Sequence, residues 1–369
     1  MVEYGIMQNN KKIDHKVVRF IDLFCGIGGF RIATEQISNE LDVPVKCVFS
    51  SDIDEDCQRT YENNFGEKPA GDITAVKAEN IPDHDILLAG FPCQPFSIIG
   101  HRKGFDDTRG TLFFEIARIL EAKKPTTFVL ENVKLLAGHN NGKTLKRIIA
   151  ALRDLGYHAD FRVLNALNFG LPQKRERIFI VGFKKACAFD WPKGGLSMTP
   201  LRDILESDVP EEYYASDYIR ENRLKKHKPT DELTIWHENK AGHISAYPYS
   251  CALRAGASYN YLLVNGERRL TPREMLRLQG FPNSFKIVCN YSQTRKQAGN
   301  SLPVPIAKAL LKNLFISQGW DNGHIDCSHY GLQHHIIDGQ MRLFEKKTRY
   351  GRKSKIKNSR EVQAPVSSK

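Results

Sequence analysis

Apolar segments of strand length alternate with amphipathic segments of helix length over the first 185 residues of the chain. Strands joined by helices form right-handed βαβ units and a mostly parallel sheet. Ligands of such sheets bind beyond the carboxyl ends of the strands, so a site is expected at that edge. The expected strands are residues 17–24, 46–51, 84–89, 126–130 and 177–183, and the expected helices end near residues 41 and 61 or span 111–122 and 144–155.

The alternation stops after residue 183. Residues 184–266 are polar, aromatic and interrupted by proline, which is typical of a smaller, mostly irregular or β domain. Regularity returns with Thr271 and Pro272, a helix cap followed by proline at the first helical position, and with a helix over residues 303–316. We therefore divide the chain into a large α/β domain with a Rossmann-like sheet (residues 1–183 and 267–318), a small domain (184–266) and a C-terminal extension (319–369).

The net charge of +12 is concentrated near the C-terminus. Eight basic residues and no acidic residue lie between residues 346 and 360, which leaves +4 for the rest of the chain. Such a run either binds polyanions non-specifically or forms a solvated, disordered end. The charge alone therefore does not identify a function.

Targeting and cysteine patterns predict a cytoplasmic protein. No apolar run approaches the roughly 18 residues that a membrane-spanning helix needs, and residues 1–20 lack the apolar core of a signal peptide. The eight cysteines are spread along the chain without close pairs. This spacing argues against a disulfide framework and a zinc site, so we expect free thiols and no metal.

A glycine-rich segment, residues 22–29 (DLFCGIGG), joins the first strand to the first helix. Glycines there let a ligand approach the backbone N–H groups of the helix start. Asp52 ends the second strand, where a carboxylate can accept hydrogen bonds from ribose hydroxyls, and Asp72 could bind an adenine amino group. Because Arg31 takes the place of the third glycine, the dinucleotide fingerprint is broken. A nucleoside-containing cofactor fits the pattern, and so does a tight turn that binds nothing.

Cys93 follows the strand at residues 84–89 and stands between Pro92 and Pro95. The prolines favour a rigid turn over a packed strand, which is an uncommon setting for a structural thiol. A nucleophile and a packed free thiol are equally good interpretations of this cysteine. Residues 97–110 then form a charged loop punctuated by glycines, which is typical of a mobile lid that binds phosphates.

Charged side chains are also expected at the same edge of the sheet. Glu131 follows the strand at residues 126–130, and a carboxylate near a thiol in a partly apolar cleft has a raised pKa and can act as a proton donor. Arg175 and Arg177 lead into the last strand, where one of them can point inward to bind an anion or a carbonyl. The alternatives are an exposed loop acid and a solvated strand edge.

Six blocks occur in the order FIDLFCGIGGFR, GFPCQPFS, LENVK, PQKRERIFIVG, RRLTPREMLRLQGFP and KQAGNSLPVP. This order resembles the signature motifs of the DNA (cytosine-5)-methyltransferases, and most closely the bacterial restriction-modification enzymes of the HhaI type. The resemblance extends over residues 17–314 except 184–266. It implies a Rossmann-like, S-adenosyl-methionine-dependent methyltransferase sheet, with a target-recognition domain at residues 184–266.

The resemblance also implies a role for each candidate side chain. Cys93 would be the nucleophile that adds to C6 of cytosine and turns C5, otherwise a poor nucleophile, into an enamine carbon. Glu131 would contact N3 and the exocyclic amine, Arg177 would contact the ring O2, and Arg175 would lie near the site. The methyl group would come from S-adenosyl-methionine, without a metal. The cofactor positions of the family correspond to Phe24, Gly26, Gly28, Asp52, Ile53, Asp72, Ile73, Asn300 and Ser301.

Comparison with the family's signature motifs distinguishes a DNA methyltransferase from two related classes of protein. Ile53 stands where the family often has an aromatic residue over the adenine, which puts that stacking contribution in doubt. A tRNA-methylating branch shares the catalytic blocks, but its Cys-Phe-Thr signature is absent from residues 184–266. A non-catalytic DNA-binding relative would lose Pro92-Cys93 or Glu131-Asn132-Val133, and both blocks are intact. A DNA methyltransferase is therefore favoured.

Double-stranded DNA is the substrate that the resemblance implies. A cytosine inside a duplex is out of reach, so the enzyme would flip it out at a cost of roughly a few kcal/mol, and residues 97–110 would close over it. The family also implies a monomer without membrane association, and a cognate restriction endonuclease that acts on the same DNA site without direct contact. Candidate recognition residues, each more often a packing residue, are Tyr247, Arg254, Tyr259, Asn260 and Tyr261.

Overall fold

The computed structural model describes residues 17–92 and 112–321. The strands are β1 (Val18–Leu23), β2 (Val45–Ser51), β3 (Ile86–Gly90), β4 (Thr127–Val133), β5 (His158–Asn165), β6 (Gln173–Lys174), β7 (Glu176–Phe183), β8 (Ile235–Glu238), β9 (Ile244–Tyr247), β10 (Ser250–Cys251) and β11 (Leu262–Val264). The helices are α1 (Gly29–Leu41), α2 (Glu55–Phe65), α3 (Leu112–Lys123), α4 (Leu135–Gly138), α5 (Lys143–Asp154), α6 (Leu201–Ile204), α7 (Asp217–Lys226), α8 (Pro272–Leu278), α9 (Tyr291–Asn300) and α10 (Val304–Ser317).

Six strands form one sheet in the order β2-β1-β3-β4-β7-β5. β1 pairs in parallel with β2 and β3, and β3 pairs in parallel with β4, whereas β7 runs antiparallel to both β4 and β5. The α/β fold with a mostly parallel sheet is thus confirmed. Because β7 is antiparallel, the residues that precede it lie at the edge where β1, β3 and β4 end, which is the edge where ligands bind.

The sheet is covered on both faces. Alternate side chains of a strand point to opposite faces, and here Phe20 and Leu88 belong to one hydrophobic cluster while Ile21 and Leu87 belong to the other. The first cluster includes side chains of α1 and α10, and the second includes side chains of α3 and α5. The sheet is therefore the middle of three layers, and its strands are continuous apolar runs because neither face meets solvent.

β5 was absent from the expected strands. Its polar residues Asp160 and Arg162 alternate with apolar Phe161 and Val163, so it has the pattern of a half-buried strand and not the continuous apolar run of the other strands. In the structure it is the edge strand of the sheet, and both polar side chains contact Trp191. The Trp191 Nε1–H donates to Oδ2 of Asp160 at 2.8 Å, and the Arg162 guanidinium lies 5.6 Å from the Trp191 ring centre.

A second, three-stranded antiparallel sheet in the order β11-β8-β9 lies between β7 and α8 in the chain. The short strands β6 and β10 pair in parallel and join this region to the residues that enter β7. The predicted cap of α8 is confirmed, because Thr271 and Glu274 form a reciprocal capping box with proline at the first position. Among the helices of residues 17–92 and 112–321, none combines the length and the apolar character that a membrane crossing requires.

Candidate active site

The glycine loop after β1 has a left-handed backbone at several positions, with φ of 52° at Phe24, 53° at Gly26 and 85° at Gly28. A Cβ on Gly28 would lie 2.3 Å from a ring carbon of Phe65, so this turn admits only glycine. A Cβ on Gly26 would meet nothing within 4 Å. The Gly26 N–H donates to Oδ2 of Asp52 at 2.8 Å, which ties the loop to the end of β2.

The glycine loop borders a cavity of about 670 Å³ at the carboxyl edge of the sheet. This volume lies within the range of roughly 300–1,000 Å³ that is usual for small-molecule sites. Gly28 shapes the turn and does not line the cavity. The other predicted cofactor residues do line it, namely Phe24, Gly26, Asp52, Ile53, Asp72, Ile73, Asn300 and Ser301.

Asp22 lines the same cavity and was missed by the sequence patterns. It is 1% exposed, and neither carboxyl oxygen has a hydrogen-bond partner within the described parts of the chain. Burial raises the pKa of Asp22 well above its usual range, although Arg31 opposes the rise, and Asp52 adds to it. A buried carboxyl without partners is costly, so the site is suited to a ligand with hydrogen-bond donors or positive charge. The sequence feature that could have indicated Asp22 is its position at the end of a strand, directly before the glycine loop.

The two carboxylates of the predicted cofactor set, Asp52 and Asp72, accept hydrogen bonds from backbone N–H groups. Asp52 accepts a second hydrogen bond from the Asp54 N–H at 2.9 Å, and burial raises its pKa. A carboxylate has room for further donors beyond these two. Asp72 caps a short 3-10 turn by accepting the Thr74 N–H at 2.9 Å. Ile53 is 73% exposed at the cavity, where an apolar surface is open to a ligand.

Glu131, which is buried, and Arg177, which is half-buried, form an ion pair in the wall of the cavity, with 3.0 Å between Oε1 and Nε. The sequence placed Glu131 after its strand, but it lies inside β4, opposite Gly90 of β3. Burial raises the pKa of Glu131, while the positive charges of Arg177 and then Arg175 act to lower it. The pair therefore places a carboxyl of elevated proton affinity and a guanidinium at the same point of the cavity.

Asn132 connects β4, the strand that carries Glu131, to the residues that precede Cys93. Its Nδ2–H donates to the Phe91 carbonyl at 2.8 Å, so the position of Pro92 is fixed relative to β4. The sequence pattern indicates no separate role for Asn132. Cys93 and the predicted lid at residues 97–110 lie outside the described residues.

Arg175 does not line the cavity, although it lies near enough for its charge to act on Glu131. Its guanidinium is buried and donates to the carbonyls of Leu253, Gly299 and Ser301 at 2.9, 2.9 and 2.5 Å. These acceptors occupy both terminal nitrogens of the group. The geometry therefore gives Arg175 a structural contact with two backbone segments, Leu253 and residues 299–301.

The five candidate recognition residues differ in accessibility. Arg254 is exposed and Tyr259 is 44% exposed. Tyr261 is only 7% exposed, accepts the Arg254 N–H at 2.9 Å and lies under the Arg254 guanidinium. Tyr247 stacks on Tyr249 with ring centres 5.0 Å apart, and the Asn260 carbonyl accepts a hydrogen bond from Arg223. Arg254 is thus available to a partner and is supported by Tyr261. Tyr259 is only partly open, because its ring stacks on Tyr291 and its hydroxyl donates to Ser292.

Comparison with known proteins agrees with these observations. Residues 18–316 match the family model of C-5 cytosine-specific DNA methylases. The chain is 56% identical over 297 residues to the type II methyltransferase M.NgoBI of Neisseria gonorrhoeae, covering 79% of this chain and 91% of the relative. It is 55% identical over 305 residues to the type II methyltransferase M.HaeII of Haemophilus aegyptius, covering 82% of this chain and 94% of the relative.

Solved structures share the fold at much lower identity. The crystal structure of the Dnmt2 methyltransferase of S. pombe aligns with a TM-score of 0.62 and 21% identity. The alignment covers 81% of this chain and 98% of the Dnmt2 chain. At this identity the likeness concerns the arrangement of strands and helices.

Proposed function

This chain belongs to the C-5 cytosine-specific DNA methylase family, and from that premise we propose how its residues carry out the reaction. Members transfer a methyl group from S-adenosyl-methionine to C5 of cytosine in DNA through a covalent cysteine adduct. The chain is accordingly a DNA (cytosine-5)-methyltransferase. The assignments of individual residues below are our proposal.

The cavity residues fit S-adenosyl-methionine. When bound, this cofactor supplies an electrophilic methyl group on a positively charged sulfur. Asp22 offers a buried carboxyl without protein partners among the described residues to the cationic end, and Asp52 offers its remaining lone pairs to ribose hydroxyls. Ile53 and Ile73 supply apolar surface and Asp72 a carboxylate for the adenine, while Asn300 and Ser301 border the same space.

Cys93 is the proposed nucleophile. Its thiolate adds to C6 of the flipped cytosine, which makes C5 an enamine carbon able to accept a methyl group. After methylation the C5 proton leaves and the Cys93–C6 bond breaks, which restores the aromatic ring. The Asn132–Phe91 hydrogen bond supports this assignment because it fixes the turn directly before Cys93 against the strand that carries Glu131.

Glu131 and Arg177 are the proposed partners of the cytosine ring. The ring gains electron density as the thiolate adds, and a proton or hydrogen-bond donor at N3 stabilises it. Burial of Glu131 favours the protonated carboxyl that can donate there. Arg177 keeps Glu131 in place and presents a positive charge to the ring O2.

DNA recognition is proposed for residues 184–266, with Arg254 and Tyr259 as the accessible side chains that contact the target. Lys and Arg side chains of the cleft would bind phosphates, which positions the duplex without reading sequence. The loop at residues 97–110 would close over the flipped base. In this proposal, residues 1–183 and 267–318 bind the cofactor and carry the chemistry.

The biological context is proposed from the relatives, which are type II methyltransferases. The enzyme would protect cytoplasmic host DNA within a restriction-modification system, as a monomer. A cognate endonuclease would act on the same site without contacting the methyltransferase. Residues 319–369 would form a basic extension that contributes non-specific affinity for DNA.

The Glu131–Arg177 ion pair in the wall of the cavity carries the residue assignments. They are tested by expressing the chain and its Cys93→Ala variant in a host free of cytosine methylation, and mapping 5-methylcytosine across plasmid and genome. We expect methylation at one defined site with the parent chain and none with Cys93→Ala. Methylation by the variant near the parent level would exclude Cys93 as the nucleophile.

A further inference from the structure

The C-terminal half of α9 borders both the cofactor cavity and the small domain. Its residues Gln297, Gly299 and Asn300 line the cavity, together with Ser301, which follows the helix. The same helix packs against residues 253–257, here called the recognition segment because it carries Arg254. One short stretch of chain thus contacts two sites that the proposed function assigns to different ligands.

The contact between α9 and the recognition segment is backbone against backbone at Gly299. A Cβ on Gly299 would lie 2.5 Å from the Ala255 nitrogen and 2.9 Å from its Cα, so no larger residue fits without a shift of the segment. One turn earlier on the helix, Nη1 of Arg295 donates to the Ala257 carbonyl at 2.7 Å. Two contacts, at Gly299 and at Arg295, therefore attach the recognition segment to α9.

Arg175 adds a third link between the same two regions. Its Nη1 binds the Leu253 carbonyl and its Nη2 binds the carbonyls of Gly299 and Ser301. Gln173 holds the other backbone group of Leu253, because its Oε1 accepts the Leu253 N–H at 3.0 Å. Both main-chain groups of Leu253 are thus fixed by side chains that precede β7, directly before the exposed Arg254.

We propose that Arg175 and Gly299 are positioning residues that couple the cofactor cavity to the recognition segment. A ligand that fixes the position of residues 299–301 also fixes the position of Leu253 and Arg254, because tightly packed contacts transmit small displacements. Occupancy of the cavity therefore raises the affinity for the target DNA, and linkage requires the target DNA to raise the affinity for the cofactor by the same factor. This inference rests on the proposed function, which assigns a ligand to each region.

A binding cycle with purified full-length protein tests the coupling. The probes are S-adenosyl-homocysteine and a fluorescein-labelled duplex that carries the site mapped by 5-methylcytosine sequencing. The Kd of each probe is measured with and without saturating amounts of the other. We expect a coupling factor of at least about fivefold in the parent protein, reduced toward one in Arg175→Lys and Gly299→Ala.

Gly138→Ala is the matched control, since a Cβ on Gly138 meets nothing within 4 Å and should leave the coupling unchanged. Thermal unfolding of every variant identifies loss of fold, and Arg295→Gln, which removes the Ala257 hydrogen bond together with the cation–π contact on Tyr259, replaces any variant that does not fold. A coupling factor near one in the parent, or equal factors in parent and variants, overturns the inference while the proposed function stands. Failure of the parent protein to bind either probe overturns the proposed function as well.

Discussion

Oε1 of Glu131 lies 3.0 Å from Nε of Arg177, and this distance follows from the pairing of β4 with β7. Arg177 stands opposite Val133 in that antiparallel pair, two residues from Glu131 on the same face. Side chains at such diagonal positions can reach each other when they are long. The antiparallel strand β7 thus places the Arg177 guanidinium beside the carboxyl of Glu131, which lies on the parallel strand β4.

Glu131→Gln should lower kcat by about 10²–10⁴-fold, the range by which general acid catalysts contribute. The amide keeps the shape of the side chain but cannot transfer a proton. Single-turnover methylation of the mapped duplex measures the rate, and titration with S-adenosyl-homocysteine should give a Kd close to that of the parent. A large loss of cofactor affinity would contradict the placement of Glu131 at the base.

Glu176→Gln is the control for this substitution. Glu176 neighbours Arg177 in sequence, but it pairs with Lys134 at 2.8 Å in a half-exposed position. Ion pairs of this kind contribute little to stability. The control should methylate DNA at nearly the parent rate.

The sequence pattern predicts the sheet and much of the cavity, but not the partners of individual side chains. Asp52 was predicted because it ends a strand at the edge of the sheet where ligands bind, and Asp72 because it precedes a loop and matches the family's adenine position. Asp22 was missed because a buried carboxyl without partners among the described residues is visible only once its surroundings are known. Arg175 was assigned to the site with Arg177, since spacing cannot tell that its acceptors, among them Leu253, come from distant parts of the chain.

The rate of methylation should decline as pH rises through the raised pKa of Glu131. Burial raises the pKa of this carboxyl, so the protonated form that donates to N3 persists to a higher pH than for an ordinary glutamate and is lost as pH rises through that raised pKa. In the Glu131→Gln variant, the side-chain amide keeps an N–H donor at every pH. The rate-pH profile of that variant should therefore lack this decline, and a profile identical in shape to that of the parent would argue against the protonated carboxyl.

Asp22→Asn should weaken the binding of S-adenosyl-homocysteine by about tenfold or more, since a charged contact in a buried site is worth roughly 1.5–3 kcal/mol. Burial raises the pKa of Asp22 in the free protein, and pairing with the ligand ammonium lowers it again. Binding then releases a proton, so affinity increases with pH below the raised pKa.

Calorimetry in buffers of different ionisation enthalpy measures this proton release. The parent should release a proton on binding, and Asp22→Asn should not. Equal proton release by the two proteins would exclude the proposed contact between Asp22 and the ammonium group of the ligand.

The Arg268–Glu274 pair should be a major contributor to stability. Its nitrogen–oxygen distances are 3.0 and 2.8 Å, the Glu274 side chain is fully buried, and Glu274 also accepts the N–H groups of Glu206 and Thr271. Removing one partner leaves an uncompensated buried charge, so Glu274→Ala should lower the free energy of unfolding by about 3–5 kcal/mol. Urea denaturation measures the loss.

Asp203→Asn is the control for this prediction, because Asp203 pairs with Arg202 on the surface at 3.8 Å. It should change the free energy of unfolding by no more than about 0.5 kcal/mol. The double substitution Arg268→Met/Glu274→Leu should recover part of the loss, since no charge then remains buried. A Glu274→Ala protein as stable as the control would show that the pair is not structural.

Deletion of residues 343–369 should weaken non-specific DNA binding more than it changes the choice of target. The deleted residues lie outside the described part of the chain and include the eight basic residues between 346 and 360. Each phosphate contact contributes about 0.9 to the slope of log K against log salt, so full engagement of this run would steepen the slope by about 7. Fluorescence anisotropy on a duplex without the target, measured over a salt series, gives the slope for both proteins. The methylated sequence mapped in cells should stay the same, because the recognition segment is retained; a changed target sequence would assign recognition to the extension instead.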